Sequence, residues 1–178
     1  PSSLSHFPLS RPIQPLDGLT AFAMEMMPRE NHLYEVWRPP VDTNHFFQVM
    51  TGHFEALAVA HALGITINDK KGSDFYYFPD TKRYIVLDWN VVSDAGEKPW
   101  KVKSDLIEGI RHIMEAATHV TNWSEGKTNF NPDIVRKFHL LQIRLSDRTD
   151  TTTAMDIIEI IKNLDRISGE EIARPKVA

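Results

Sequence analysis

Two histidines and two glutamates recur at helical spacing in the second half of the chain, at Glu108, His112, Glu115 and His119. Residues three and four apart share one face of an α-helix, so these four side chains form a single stripe. Imidazole and carboxylate groups arranged in this way can bind a divalent cation, which makes His112, Glu115 and His119 candidate metal ligands. The stripe lies opposite the apolar side of its helix, however. The sequence therefore favours a solvated face and predicts neither a bound metal nor another cofactor.

Two further histidines, His53 and His61, fall in a long apolar segment that predicts a buried helix. Buried histidines mostly hydrogen-bond to a backbone carbonyl or a carboxylate, and serve less often as a catalytic base. No Gly-x-Ser-x-Gly motif supplies a nucleophile beside them. The chain also has no cysteine, which excludes a thiol nucleophile, a disulfide scaffold and thiolate metal sites. These features favour a non-enzymatic chain.

Three aspartates, Asp147, Asp150 and Asp156, surround a run of threonines that ends at Thr153. Their spacing lacks the glycine and the closing glutamate of a calcium-binding EF-hand loop. Acidic residues and threonines just before an apolar periodic segment are typical of a helix start. We therefore interpret these side chains as capping and dipole partners of a helix that begins after Thr153.

The strongest structural signal is a predicted β-hairpin, with strands over 73–79 and 83–89 and turn residues between them. With Asp80 and Thr81 at the tip, Tyr77 would pair with Tyr84 and Phe75 with Val86. One face of the hairpin is then the candidate interaction surface, which consists of Phe75, Tyr77, Lys82, Arg83 and Tyr84. The opposite face is expected to point to the core, and consists of Tyr76, Phe78, Ile85, Leu87 and Trp89.

An open aromatic sheet face beside basic residues is also how RNA-recognition motifs stack bases. The segment 82–86 lacks the glycine and the second aromatic residue of that motif, and the net charge of −4 opposes tight phosphate binding. We therefore expect a non-enzymatic interaction domain that uses this aromatic face and an extended amino-terminal arm for contacts with protein partners, through self-association or a larger assembly. A nucleic-acid-binding module is the alternative, and a metal-assisted enzyme is the second alternative.

The remaining periodic segments complete the expected fold. They predict a strand over 32–38, a helix over 44–63 capped by Asp42 or Thr43 and ended by Gly64, and a helix over 105–122 capped by Ser104. The stretch 132–146 fits either a helix begun by Pro132 or a strand, and we favour a helical turn followed by a strand over 137–146. A last helix runs from Thr153 to Ile167, with Gly169 as its stop. The expected fold class is α+β, an antiparallel sheet with helices on one face in the ferredoxin-like split β-α-β order, plus an extra C-terminal helix.

Length and composition suit one domain preceded by an arm. The chain has 178 residues, of which 42% are hydrophobic and 25% charged. Seven of the 11 prolines lie in the first 40 residues, so we expect an extended arm without regular structure over 1–16. A short helix is expected over 17–27, although the apolar residues of this stretch also alternate as they would in a strand. This divides the chain into an arm over 1–28 and a single α+β domain over 29–178. No signal peptide, membrane span or membrane partner is recognised, and the expected location is the cytoplasm.

Overall fold

A computed structural model describes residues 10–16, 19–24, 27–37, 41–67, 74–87, 92–94, 99–119, 130–147 and 149–173. The helices in this part of the chain are α1 (Leu33–Val36), α2 (Thr43–Ala62), α3 (Pro99–Thr118), α4 (Pro132–Leu145) and α5 (Ala154–Ala173), with a 3₁₀ turn at Arg29–Asn31. The strands are β1 (Ser10–Leu16), β2 (Leu19–Met24), β3 (Ile65–Ile67), β4 (Phe75–Phe78), β5 (Arg83–Val86) and β6 (Val92–Asp94). Helices and short antiparallel strands are thus combined, as the expected α+β class requires.

The strands described by the structure form three two-stranded antiparallel sheets, in the pairs β1–β2, β3–β6 and β4–β5. The ferredoxin-like order is not confirmed, because the segments expected to be its first and last strands are helical. In the first of these, the N–H groups of Val36 and Trp37 donate hydrogen bonds to the carbonyls of His32 and Leu33, four residues earlier, which is the pattern of an α-helix. The prediction of a strand over 32–38 is therefore wrong.

The strand predicted over 137–146 is wrong for a similar reason, since α4 covers almost all of it. The Asn131 side chain accepts hydrogen bonds from the backbone N–H groups of Asp133 and Ile134, and Pro132 occupies the first turn. Within the helix, Leu141 and Leu145 are buried whereas Ile143 is 56% exposed. The apparent alternation in the sequence therefore does not match the burial, and the four-residue spacing does.

The helix α2 agrees closely with its prediction. The Asp42 carboxylate accepts a hydrogen bond of 2.9 Å from the His45 N–H, which caps the helix. At the other end Gly64 has a φ of 73°, the left-handed conformation that commonly ends a helix. Half of the helix is buried, and it packs against α3, α5, β3 and β5. This makes α2 the centre of the described fold.

The other boundaries differ from the sequence expectations at the start of α3 and at the end of α5. The helix α3 begins at Pro99, so Ser104 lies inside it and is not its cap. The start of α5 is as predicted: the Thr153 hydroxyl accepts from the Asp156 N–H, and the Asp156 carboxylate accepts from the Thr153 N–H. Gly169 does not end that helix, which continues to Ala173. None of the helices in the described part is long and apolar enough to cross a lipid bilayer.

The amino-terminal arm is also more regular than expected, because β1 and β2 pair with each other as a hairpin. The pairs run from Ser10 with Met24 to Leu16 with Leu19. The predictions of an irregular stretch over 1–16 and of a helix over 17–27 are therefore wrong where the structure describes the chain. The division into an arm and a domain remains a prediction.

Candidate functional site

The hairpin pairs in the predicted register, but the face chosen as the interaction surface is buried. Tyr77 is paired with Tyr84 and Phe75 with Val86, as expected. Phe75, Tyr77 and Tyr84 are nevertheless at most 1% exposed, so they belong to the core instead of an open surface. The cause is α2, which packs on this side of the hairpin and supplies His53 and Gln48 as hydrogen-bond partners of the two tyrosine hydroxyls. Among the described residues of the face expected to be the core, Ile85 is fully buried and Tyr76, Phe78 and Leu87 are half-buried, and Trp89 lies outside the described residues.

The other two members of the predicted surface, Lys82 and Arg83, lie at the hairpin turn and border a large open groove. Lys82 is exposed, with a φ of 52° in the turn. The groove has a volume of about 1200 Å³ and lies between this turn and α5, above α2. We call it the α2 groove. Its α2 side includes a straight stripe of residues three or four apart, namely Asn44, Gln48, Thr51, Glu55, Ala58 and Ala62.

Charges of both signs border the α2 groove. Lys82 and Arg83 stand at the hairpin turn, and Lys162 stands on α5. Glu55 on α2 and Asp165 on α5 supply the negative charges. Between them lie apolar and small side chains, of which Met155 is 57% exposed. The arrangement is a groove of mixed apolar and polar side chains with charges of both signs at its rim, which is compatible with a protein-binding surface.

The histidine and glutamate stripe of α3 is more buried than the sequence suggested. The side chain of His112 is 8% exposed and lies between two carboxylates, with its Nε2 3.6 Å from Glu108 and its Nδ1 3.5 Å from Glu115. Arg111 forms ion pairs with the same two glutamates. The expectation of a solvated face is therefore wrong for His112 and Glu115. The reason is that α3 is covered on this flank as well, where the Phe75 ring contacts the His112 ring.

His119 does not join this cluster. Its Nε2 is hydrogen-bonded to the backbone carbonyl of Trp37, and its ring contacts Tyr34. Partial burial, followed by the negative charge of Glu115, raises the pKa of Tyr34, and the positive charge of Arg111 opposes that rise. Within the described residues no three histidine, aspartate or glutamate side chains form a group that could hold a metal ion. The stripe instead joins α3 to α1 and to the hairpin.

A buried histidine that the sequence identified, His53, lies at the junction of α2, α3 and the hairpin. Its Nδ1 is 2.9 Å from the Tyr84 hydroxyl, and its ring packs edge-on against Phe54 and Phe75. Burial, reinforced by the negative charge of Asp74, raises the pKa of Tyr84 well above its ordinary value. The Tyr84 phenol therefore stays neutral in its hydrogen bond with His53.

The Nε2 edge of His53 lies against Gly109 in the middle of α3, so close that a methyl group at position 109 would overlap the imidazole. We expect Gly109→Ala to destabilise the protein by about 1–2 kcal/mol, since the overpacking cost outweighs the gain in helix propensity. Chemical unfolding with urea measures this change. In the His53→Ala background the same substitution should be neutral or stabilising. Equal effects in both backgrounds would contradict the contact.

The second buried histidine contact joins three elements through Asp105. Its Oδ2 accepts a hydrogen bond of 2.9 Å from the Ile67 N–H of β3 and lies 3.0 Å from His61 Nε2 on α2. The side chain of Asp105 is only 3% exposed. This is the ordinary structural role that the sequence favoured for buried histidines. Near it, a smaller pocket of about 420 Å³ opens beside the first three turns of α3.

Comparison with known proteins adds no functional assignment to this geometry. No protein-family model matches the chain, and no curated protein matches it at a significant level. The geometry of the chain, above all the α2 groove, is therefore the basis for a functional proposal. The sequence reasoning missed the groove, although polar and small residues at steps of three and four in an otherwise apolar helix were a signal of an uncovered face.

Proposed function

We propose that this chain is a non-enzymatic assembly domain that self-associates through the α2 groove, with a second copy of the chain as its partner. The observation that carries the proposal is the open groove along α2, the helix at the centre of the described fold. The groove combines exposed small and apolar side chains with polar ones, which is common on surfaces that a protein partner covers. The proposed interaction surface is therefore the groove that Lys82 and Arg83 border, in place of the aromatic hairpin face that the sequence predicted.

The mixed charges of the rim favour a second copy over a partner of one sign. In a two-fold symmetric dimer the same patch is used by both chains, so basic groups of one copy face other groups of the same patch on the second copy. Lys82 of one chain would then meet Asp165 of the other. A strongly acidic or strongly basic partner would meet attraction at one wall and repulsion at the other.

The dimensions of the groove are also compatible with a dimer. The helix α2 has 20 residues, which corresponds to a length of about 30 Å. The small residues Gly52, Ala58 and Ala62 line the groove and allow a partner backbone to approach closely. Met155 supplies an exposed apolar side chain at the rim. A segment of a second copy can therefore lie along much of the length of α2.

The alternative of a nucleic-acid-binding module loses support from the same geometry. Its proposed stacking platform was Tyr77 and Tyr84, and both rings are buried against α2. Stacking requires an exposed ring face for each base. Lys82 and Arg83 alone offer charge without a stacking platform.

The test is the mass of the protein in solution, measured by sedimentation velocity over a range of micromolar concentrations. We expect the wild type to approach twice the chain mass of 20.4 kDa as the concentration rises. Ala62→Arg places a long charged side chain at the end of the groove, in the last turn of α2 where positive charge is tolerated, and should prevent the dimer. Leu140→Arg is the matched control, because Leu140 is exposed on α4 and does not line the groove.

A charge swap then tests the pairing itself. Lys82→Glu and Asp165→Lys should each weaken self-association about tenfold, because each creates like charges across the two-fold axis. An equimolar mixture of the two variants should regain the affinity of the wild type. A wild type that remains a monomer throughout, or an equal loss in Leu140→Arg, would refute the proposed function.

A further inference from the structure

We infer that the segment of the second copy that lies in the α2 groove is its own α2, in the antiparallel orientation, with the two-fold axis midway between Thr51 and Glu55. The inference rests on the proposed self-association, and it names the element and the orientation with which the partner binds. The residues on which it depends are all exposed or half-buried, so a second chain can reach each of them.

The stripe of α2 that lines the groove has the same spacing when it is followed in either direction. Its members are Asn44, Gln48, Thr51, Glu55, Ala58 and Ala62. The intervals between them are four, three, four, three and four residues. Two antiparallel copies of the helix can therefore be placed so that each of these positions lies opposite a position of the same stripe. No member of the stripe is left without a counterpart.

The side chains of the stripe also complement each other in size when the helices are antiparallel. Asn44 and Gln48 carry amide groups in the first half of the stripe, whereas Ala58 and Ala62 carry only a methyl group in the second half. The antiparallel pair sets Gln48 opposite Ala58 of the second copy, and Asn44 opposite Ala62. A longer side chain then lies over a small one at each of these levels, so the two backbones can stay equally close along the contact.

A parallel pair, in which the two-fold axis runs along the helices, fits less well. Each residue would lie level with its own copy, so the amide groups would meet at one end and the alanines at the other. Glu55 would stand level with the carboxylate of its copy, whereas in the antiparallel pair it stands level with the Thr51 hydroxyl. The helix macrodipoles favour the same choice, because they point in opposite directions only in the antiparallel pair.

The orientation determines which positions of the two chains come close enough for a disulfide bond, which requires Cα atoms within about 7 Å. In the antiparallel pair Gln48 lies opposite Ala58 of the second copy. The two copies of Ala58 are then about 15 Å apart along the helix axis, from the rise of 1.5 Å per residue. In a parallel pair the two copies of Ala58 would lie opposite each other. The chain has no cysteine, so a single introduced thiol reports on one position.

Disulfide formation between two single-cysteine variants tests the inference on the intact chain. Gln48→Cys and Ala58→Cys are oxidised alone and as an equimolar mixture, and the products are separated by mass without reducing agent. We expect about tenfold more cross-linked dimer in the mixture than in either variant alone, because only the mixture brings the two positions opposite each other. Leu140→Cys is the matched control, since Leu140 is exposed on α4 outside the groove and should form no cross-link with itself or with Ala58→Cys.

A second pair of variants is needed because Gln48→Cys removes the hydrogen bond from the Tyr77 hydroxyl to Gln48. Asn44 and Ala62 are both exposed, so cysteine at either position leaves the core unchanged. A short bismaleimide reagent should join Asn44→Cys to Ala62→Cys in the mixture. It should not join either variant to its own copy, since those positions are about 27 Å apart along the axis.

The outcomes separate this inference from the proposed function. If the wild type dimerises in sedimentation but Ala58→Cys or Ala62→Cys cross-links with its own copy, the pair is parallel and the inference is overturned while the proposed function stands. A dimer without cross-links in either mixture would mean that another segment occupies the groove, and would overturn the inference as well. A wild type that stays monomeric would remove the proposed function and the inference together.

Discussion

Replacing Phe46 by alanine is expected to lower the free energy of unfolding by about 3–5 kcal/mol, the largest single effect that we predict. Phe46 is fully buried on α2, and its ring contacts the rings of Trp37, Phe47, Phe130 and Phe138. The substitution removes the aromatic group on which α1, α2 and α4 converge. The cavity that remains cannot collapse easily, because its walls belong to separate elements.

Urea unfolding followed by circular dichroism measures the change. A domain stability of 5–15 kcal/mol is typical, so Phe46→Ala is expected to survive only weakly folded. Phe46→Leu keeps most of the volume and should lose about 1–2 kcal/mol, which provides a measurable intermediate. Leu140→Ala on α4 is the exposed control, with a change within about 0.5 kcal/mol. Similar losses at Phe46 and Leu140 would contradict the central position of the Phe46 ring.

The second large effect is expected at Asp105. Asp105→Ala should cost about 2–4 kcal/mol, because it leaves the buried Ile67 N–H of β3 and the His61 ring on α2 without their shared acceptor. The side chain itself is small, so the loss comes from hydrogen bonds and not from packing. Asp105→Asn keeps one acceptor oxygen and should recover about half of the loss.

The same unfolding experiment checks Asp105, with Glu30→Ala as the control for an exposed carboxylate. Amide hydrogen exchange supplies a local readout, since the Ile67 N–H should exchange faster in Asp105→Ala than in the wild type. If Asp105→Ala unfolds at the same urea concentration as Glu30→Ala, the carboxylate does not connect β3 to α2.

The sequence was most informative where local signals and burial agree. The helix α2 has a capping aspartate, a glycine stop and an apolar surface, and each of them acts within a few residues. The register of the β4–β5 hairpin follows in the same way from the turn chemistry at Pro79 and Asp80. The cap at Thr153 is a third local signal, and its hydrogen bonds are the expected ones.

Sequence reasoning failed where the answer depended on what packs against a face. The hairpin has aromatic side chains on both faces, so alternation alone could not decide which face meets α2. Tyr77 and Tyr84 could be buried because α2 offers Gln48 and His53 to their hydroxyl groups, and that pairing joins residues about 30 positions apart. The burial of His112 is a similar case, since the Phe75 ring that covers it belongs to the hairpin, far from α3 in the sequence.

The short connection between α4 and α5 has a consequence for the α2 groove. Hydrogen bonds from Thr152, together with the Arg144 guanidinium, lower the pKa of Asp150 to about 2, and Thr153 and Asp156 lock the first turn of α5. The starting residue of α5 is therefore set by fixed polar contacts. One residue inserted after this lock would turn the rest of the helix by roughly 100° and rotate Lys162 and Asp165 away from the groove. The connection thus determines which face of α5 points into the groove. Its length can change without turning that face only at positions before Thr153.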